Sequence, residues 1–290
     1  MMPTMETKRF QVPGGPALAY DEAGDRGATP VVLLHGFSAS RGGWSWSGVT
    51  GKLSAEHHVF ALDQRGHGDS EHTPRGYRLM QFTSDLTTFL EHVVGDPAVL
   101  VGHSLGGWVA AHVAGTRPEL VRGAFFEDPP LWLTPAEFDG WSAREAAPGL
   151  QLLEQLLRNV HERQAPAEDL VNALAPLPMF GAATLEELLG AEGLQGFASA
   201  LHRLDVDAIV GVLAAGFLDG YDPTCVMRCP VHVLRADPDR DARFRPEHEA
   251  PFAAVHPHAT IELVEGCGHV INIEQTDRFL SSLHAFLGGL

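Results

Sequence analysis

Short apolar segments rich in branched side chains alternate along this chain with longer segments of helical or glycine-rich pattern. Strands that are buried on both faces appear as continuous apolar runs, so this alternation predicts an α/β protein whose mostly parallel sheet carries helices on both faces. Near the beginning, two short apolar runs flank Pro-Gly-Gly-Pro at residues 13–16 and predict an antiparallel hairpin. The clearest later strands are predicted at residues 30–34, 59–62, 98–101, 123–126, 231–234 and 260–264.

Residues 129–221 contain no good strand pattern and separate the fourth of those later strands from the fifth. Apolar residues recur there at helical spacing, for example over residues 150–163, between proline- and glycine-rich joints. A helical block inserted in an α/β pattern predicts a cap over a core formed by residues 1–128 and 222–290. The apolar cap residues that could line a substrate cavity, or only pack the cap onto the core, are Trp132, Trp141, Met179, Phe180, Phe197 and Phe217. Trp132, Trp141 and Phe180 are the tentative pocket residues.

The charge balance excludes some partners. The chain has 290 residues with 20 Lys+Arg and 37 Asp+Glu, a formal net charge of −17. Binding to nucleic acid or to an anionic membrane needs a basic face, so neither is expected. The 44% hydrophobic content supports a large core. We find no signal-peptide core and no apolar run near the ~18–20 residues that span a bilayer. We therefore predict a soluble, cytoplasmic protein. A homodimer is compatible with the sequence.

The three cysteines, Cys225, Cys229 and Cys267, are too few and odd in number for a disulfide framework, which fits a reducing compartment. The pair Cys225-x-x-x-Cys229 lacks a second pair at a suitable spacing for a metal site. We therefore expect no metal.

A candidate nucleophile lies at Gly102-His103-Ser104-Leu105-Gly106, between a predicted strand and a predicted helix. Strand, tight turn and helix are the context of a nucleophile elbow, in which glycines let the chain pass closely while the serine projects. The backbone N–H of Leu105, at the start of the helix, is a candidate donor to an oxyanion. A second donor is expected from the loop after an earlier strand, and Phe37 of His35-Gly-Phe37 is the candidate.

A serine hydroxyl needs a base, and His269 is the candidate among 16 histidines. It lies in Glu265-Gly-Cys-Gly-His269, after the last predicted strand and before the last helix, where the glycines let the loop bend toward the serine. His103 lies on the elbow itself, so its ring is expected to point elsewhere. His35 and His67 are expected to brace loops around the site.

These motifs together resemble the α/β-hydrolase superfamily: HGF, the 63–70 loop DQRGHGDS, GHSLGG and a late GCGH occur in its order over nearly the whole chain. The resemblance implies the α/β-hydrolase fold, with an eight-stranded, mostly parallel sheet and a helical cap between its sixth and seventh strands. It also implies a Ser–acid–His triad that needs no cofactor. In this family the 63–70 loop is mainly a structural turn.

The acid of the triad departs from the commonest pattern. Many relatives carry it after the seventh strand, where this chain has Ala236 at the usual glycine position and carboxylates at Asp237, Asp239 and Asp241. The alternative position follows the sixth strand, where Asp128 is followed by two prolines. That placement resembles enzymes of the zearalenone lactonase type. We rank Asp128 first, Asp239 second and Asp237 third.

The resulting hypothesis is a serine hydrolase that cleaves a small hydrophobic carboxylic ester or lactone through an acyl-enzyme, with Ser104 as nucleophile, His269 as base and Asp128 as orienting acid. A carbon–carbon bond hydrolase or a perhydrolase could use the same kind of triad. In these alternatives Asp239 would take the place of Asp128 as the acid. A ligand receptor of this fold with slow turnover is a further alternative. A haloalkane dehalogenase or epoxide hydrolase would need a carboxylate at the elbow, which Ser104 contradicts.

Overall fold

An eight-stranded sheet forms the centre of the protein. The computed structural model describes residues 6–179 and 183–290, and the strand order across the sheet is β1-β2-β4-β3-β5-β6-β7-β8. Strand β2 pairs antiparallel with β1 and β4, and the remaining pairs are parallel. This confirms the predicted fold class. The strands are β1 Glu6–Gln11, β2 Ala17–Ala23, β3 Pro30–Leu34, β4 His58–Leu62, β5 Ala98–His103, β6 Val121–Glu127, β7 Val231–Arg235 and β8 Thr260–Leu263.

Helices cover both faces of the sheet because alternate residues of its inner strands point to opposite sides. In β3, Val32 and Leu34 belong to one buried apolar cluster, while Val31 and Leu33 belong to a second cluster on the other face. The helices are α1 Gly42–Trp46, α2 Val49–Leu53, α3 Leu79–Phe89, α4 Leu105–Thr116, α5 Pro135–Trp141, α6 Ala147–Glu162, α7 Ala167–Leu174, α8 Leu185–His202, α9 Val206–Leu213, α10 Pro246–Val255, α11 Ile271–Glu274 and α12 Thr276–Gly288. Within the described ranges, no helix is long and apolar enough to cross a membrane.

The segment between β6 and β7 contains helices α5 to α9, in agreement with the predicted helical block. It also contains an antiparallel pairing of Pro178–Met179 with Ala183–Thr184, which is too short to produce an alternating pattern in the sequence. Helix α8 lies against α1 because it presents glycines to Trp46: a Cβ on Gly196 would lie 2.9 Å from the indole nitrogen. This contact ties the helical segment to the loop after β3. The boundaries 129 and 221 of the cap stay a prediction.

Candidate active site

The elbow at Ser104 has the geometry that its glycines allow. Ser104 separates β5 from α4 and has φ 51° and ψ −113°, a backbone conformation that is rare outside glycine. A Cβ on Gly102 would lie 2.5 Å from the carbonyl oxygen of Gly106, and a Cβ on Gly106 would overlap the carbonyl oxygen of Leu34. The glycines therefore permit close packing of the turn against β3, and the serine projects into a cavity.

The loop after β3 lies directly against this elbow. A Cβ on Gly36 would lie 2.5 Å from Nδ1 of His103 and 3.2 Å from Cβ of Ser104. The next residue, Phe37, and the first residue of α4, Leu105, both line the same cavity as Ser104. Within the described residues, neither of their backbone N–H groups donates to a protein acceptor. These two N–H groups stay the candidate donors to an oxyanion.

Two buried histidines hold that loop in place. His35 Nδ1 donates to the carbonyl of Gly36, and its Nε2 accepts from the backbone N–H of Gln64 at 3.1 Å. His67 Nδ1 donates to the carbonyl of Arg65 at 2.9 Å. Burial lowers the pKa of His35 to about 4 and that of His67 to about 3. Both rings are therefore neutral near pH 7, which the accepting Nε2 of His35 requires.

His269 and Asp128 are joined by a direct hydrogen bond. Nδ1 of His269 donates to Oδ2 of Asp128 at 2.7 Å, and the aspartate is completely buried. Asp128 follows β6 and has a positive φ of 42°, which turns it from the sheet toward the histidine. Its oxygens also accept from the backbone N–H groups of Ala236 at 3.2 Å, Arg243 at 2.7 Å and Phe244 at 3.2 Å. Backbone N–H donors of this kind stabilise the negative charge of a carboxylate.

The other candidate acids lie elsewhere. Asp239 is exposed in the short 3₁₀ turn Pro238–Arg240, and Asp237 caps that turn by accepting from the backbone N–H of Asp239 at 3.0 Å. Asp237 also accepts from the backbone N–H of Gly266 at 2.7 Å. It therefore fixes the loop that leads to His269.

The His269 loop is held by Glu127 and by His103, whose ring faces this loop and the cavity instead of pointing elsewhere as expected. Nε2 of His103 donates to the carbonyl of His269 at 3.0 Å, and the two rings are 4.6 Å apart. Burial lowers the pKa of His103 well below its usual value, so the ring stays neutral. Glu127, also fully buried, accepts from the backbone N–H of Asn272 at 2.6 Å. The Asn272 carboxamide, in the orientation that satisfies both groups, donates to the same oxygen at 2.9 Å.

Burial raises the pKa of Glu127 well above its usual value, and the neighbouring Asp128 adds to this rise. Because α11 begins two residues after His269, a hydrogen-bonded Glu127 fixes where the histidine loop ends. The sequence pattern that could have predicted a role for Glu127 is the pair of acids, Glu127 and Asp128, at the end of an apolar strand. Only the second of those acids was considered.

The cavity above Ser104 has a volume of about 460 Å³. Trp141 lines it, but Trp132 does not and lies in a neighbouring cleft on the other side of Trp141. Phe180, also predicted to line the pocket, lies outside the described residues. Arg243 is the one Lys, Arg, Asp or Glu among the described residues of the wall. The large apolar side chains of the described wall are Phe37, Trp44, Trp46, Leu105, Trp108, Phe138, Trp141, Leu150, Leu185, Leu188, Leu189, Phe197, Phe217 and Ile273.

Residues 31–281 match the model of the alpha/beta hydrolase family. The chain belongs to this family. Among curated relatives, it is 29% identical over 275 residues to the dihydrolipoyllysine-residue acetyltransferase component of an acetoin cleaving system from Pseudomonas putida, covering 94% of this chain and 67% of that protein. It is 27% identical over 277 residues to the sn-1-specific diacylglycerol lipase ABHD11 of Danio rerio, covering 93% of this chain and 82% of the lipase.

The crystal structure of E-2-(acetamidomethylene)succinate hydrolase has the same fold as this alpha/beta hydrolase. The two superpose with a TM-score of 0.73 at 19% identity, covering 98% of this chain and 100% of that one. Within the described residues, no three His, Cys, Asp or Glu side chains are grouped as metal ligands would be. The thiol groups of Cys225, Cys229 and Cys267 are free, and burial raises the pKa of each.

Proposed function

We propose that this alpha/beta hydrolase cleaves carboxylic esters or lactones through an acyl-enzyme, with Ser104, His269 and Asp128 as its catalytic triad. The observation that carries the proposal is the 2.7 Å hydrogen bond between His269 Nδ1 and a buried Asp128 that three backbone amides also hold. That bond fixes the imidazole tautomer in which Nδ1 carries the proton and Nε2 does not, which is the form a general base needs. Ser104 and His269 line one cavity.

In the first step, Oγ of Ser104 forms a bond to the carbonyl carbon of the substrate, and Nε2 of His269 takes the hydroxyl proton. The carbonyl oxygen becomes an oxyanion, which the N–H groups of Phe37 and Leu105 stabilise together with the positive end of the α4 dipole. The tetrahedral intermediate then breaks its bond to the alkoxy oxygen, which leaves with the proton held by His269. Asp128 stabilises the imidazolium that exists between these transfers.

In the second step, His269 takes a proton from water while the water oxygen attacks the acyl carbon. The bond to Ser104 Oγ then breaks, the serine recovers its proton from His269, and the carboxylic acid leaves. His269 must be neutral at the start of each step.

The apolar wall supports a small hydrophobic substrate. The cavity of about 460 Å³ is lined mainly by aromatic and aliphatic side chains. Such side chains bind apolar groups by removing them from water. The curated relative from Danio rerio is named as a lipase, which agrees with an ester substrate here.

A fluorophosphonate probe tests the proposal because it labels only an activated serine. We expect the folded protein to be labelled on Ser104, and the Ser104→Ala variant to be unlabelled. 4-Nitrophenyl esters of increasing chain length, together with small and macrocyclic lactones, then define the substrate. Absence of labelling in a correctly folded protein would instead support a ligand receptor, and hydrolysis that persists in Ser104→Ala would exclude this mechanism.

A further inference from the structure

A second cavity adjoins the catalytic one. It has a volume of about 640 Å³, and its wall shares Pro130, Trp141 and Arg243 with the wall of the catalytic cavity. These three residues therefore form the partition between the two spaces. A substrate that fills the apolar cavity and extends past the partition would reach the second cavity, which we call the arginine cleft.

The arginine cleft differs in chemistry from the catalytic cavity. Among the described residues, its wall contains three arginines, Arg144, Arg243 and Arg245, and two carboxylates, Glu137 and Glu247. Glu137 is already engaged, because its carboxylate accepts from both the backbone N–H and the hydroxyl of Thr134. Arginines therefore outnumber carboxylates in the described wall of the cleft, in a chain whose formal net charge is −17.

Arg243 occupies the boundary between the two cavities. Its guanidinium carbon lies 5.5 Å from the ring centre of Trp141, a stacking distance that orients the planar group. Nη2 donates to Asp241 at 2.7 Å, and the Asp241 side chain is 47% exposed. Within the described residues, Nε and Nη1 of Arg243 make no hydrogen bond to protein. The guanidinium can therefore bind an additional oxyanion while it keeps its contact with Asp241.

We propose that Arg243 and the arginine cleft form a subsite for a carboxylate carried by the substrate, at the end of the molecule remote from the scissile ester. This inference rests on the proposed function. The substrate class is then a hemiester or carboxylated lactone with an apolar middle, whose ester lies at Ser104 and whose carboxylate pairs with Arg243. Planar guanidinium groups bind carboxylates through paired N–H donors, which favours this anion over a neutral polar group.

The position of Arg243 allows its side chain to be tested separately from the triad. The backbone N–H of Arg243 donates to Asp128, and a substitution of the side chain retains that N–H. Arg243→Gln removes the charge with the least change in size, and Arg243→Lys retains the charge without the planar fork. Arg122→Gln is the matched control, since Arg122 is exposed on β6 and lines neither cavity.

Two esters that differ only in charge provide the measurement: mono-4-nitrophenyl suberate and its methyl-capped diester, both followed by release of nitrophenolate. We expect the wild type to favour the charged ester by about tenfold in kcat/KM, mainly through KM. Arg243→Gln should bring the ratio close to one, Arg243→Lys should retain part of it, and Arg122→Gln should leave it unchanged. Equal use of both esters by the wild type, or a ratio unchanged in Arg243→Gln, would overturn the subsite.

A binding measurement tests the subsite without turnover. Calorimetry with methyl hydrogen suberate is expected to show about tenfold weaker binding to the Ser104→Ala/Arg243→Gln double variant than to Ser104→Ala alone. Equal binding to the two proteins would overturn the inference. If turnover proves independent of Ser104 while this difference in binding remains, the proposed function fails and the carboxylate subsite stands. If both esters are cleaved equally in a Ser104-dependent reaction, the carboxylate subsite fails and the proposed function stands.

Discussion

The carboxyl edge of the sheet and the helical segment between β6 and β7 contribute to the cavity in different ways. At the sheet edge, polar atoms are held by the backbone: Asp128 accepts from three amides, and His35 both donates to and accepts from the main chain. The helical segment instead contributes apolar side chains that are held by packing, such as Phe197 and Leu189. One region fixes the groups of the proposed triad, and the other shapes the cavity.

This difference predicts how each region responds to substitution. A change at the sheet edge leaves a buried polar group without its partner, which costs catalysis or stability of the whole domain. A change in the helical wall alters volume and apolar area, which acts on substrates according to their size. The following predictions test that contrast, from the largest expected effect to the smallest.

Replacing Asp128 by Asn is expected to lower kcat by about 10⁴-fold, because the imidazole loses the partner that fixes its tautomer. Asp239→Asn is the matched control, since Asp239 is exposed in the turn after β7, and we expect it to change kcat by less than about twofold. Steady-state assays with a 4-nitrophenyl ester measure both. A near-active Asp128→Asn enzyme, or a severe loss in Asp239→Asn, would move the acid away from Asp128.

Replacing Arg41 by Ala tests whether the sheet edge depends on its buried charges. Arg41 donates through its backbone N–H to Asp63 at 2.7 Å, forms an ion pair with the same carboxylate, and also contacts Asp21 at 2.9 Å. Asp63 is fully buried, so losing the guanidinium should lower the free energy of unfolding by about 3–5 kcal/mol. Urea titration measures it. Arg26→Ala, at a side chain that is 72% exposed, should cost less than about 1 kcal/mol.

Equal losses in the Arg41 and Arg26 variants would mean that the network around Asp63 adds nothing beyond an ordinary surface ion pair.

Acid should destabilise the loop that carries Phe37. The pKa of His35 falls from 6.5 to about 4 on folding, so the folded state binds fewer protons than the unfolded state between those pH values. Stability from this group is therefore complete above pH 6.5 and falls as pH decreases toward 4, by about 3 kcal/mol in all. The free energy of unfolding, measured at several pH values between 4 and 6.5, should change less steeply with pH in His35→Gln than in the wild type. Identical slopes would contradict a buried neutral His35.

Replacing Phe197 by Ala should weaken the use of long substrates. Its ring forms part of the apolar wall, and the lost contact should lower kcat/KM for 4-nitrophenyl octanoate by about tenfold. The acetate ester, which does not extend as far, should be affected less. Leu152→Ala is the control, since that side chain is 68% exposed and lies outside the cavity wall. A loss that does not depend on chain length would assign Phe197 a structural role.

The sheet and the elbow could be predicted from sequence because their causes are local. Continuous apolar runs mark buried strands, and the glycines around Ser104 are required by close contacts with Gly106 and Leu34 that admit no side chain. The resemblance to the hydrolase superfamily then implied an eight-stranded, mostly parallel sheet, whereas the order of the strands across it comes from the structure. The position of Asp128 directly after β6 was also visible, because a strand that ends on an acid and two prolines has a defined end.

The cavity wall could not be predicted in the same way, because it depends on how distant segments pack. Trp132 and Trp141 are close in sequence and similar in character, yet only Trp141 faces the catalytic cavity. Trp46 ends the short helix α1 and Arg243 lies in the loop before α10, and neither carries a periodic signal in the sequence. The contact of His103 with the His269 carbonyl spans 166 positions, so the sequence alone gave no reason to expect it.

The most direct test of the account is to trap the acyl-enzyme. The protein is mixed with 4-nitrophenyl butyrate, quenched in acid within the first turnover, digested and examined by mass spectrometry. We predict a butyryl group on Ser104, formed together with a burst of nitrophenolate equal to the enzyme concentration, and no adduct in Ser104→Ala. Turnover without any acyl adduct, or an adduct on another residue, would contradict Ser104 as the nucleophile.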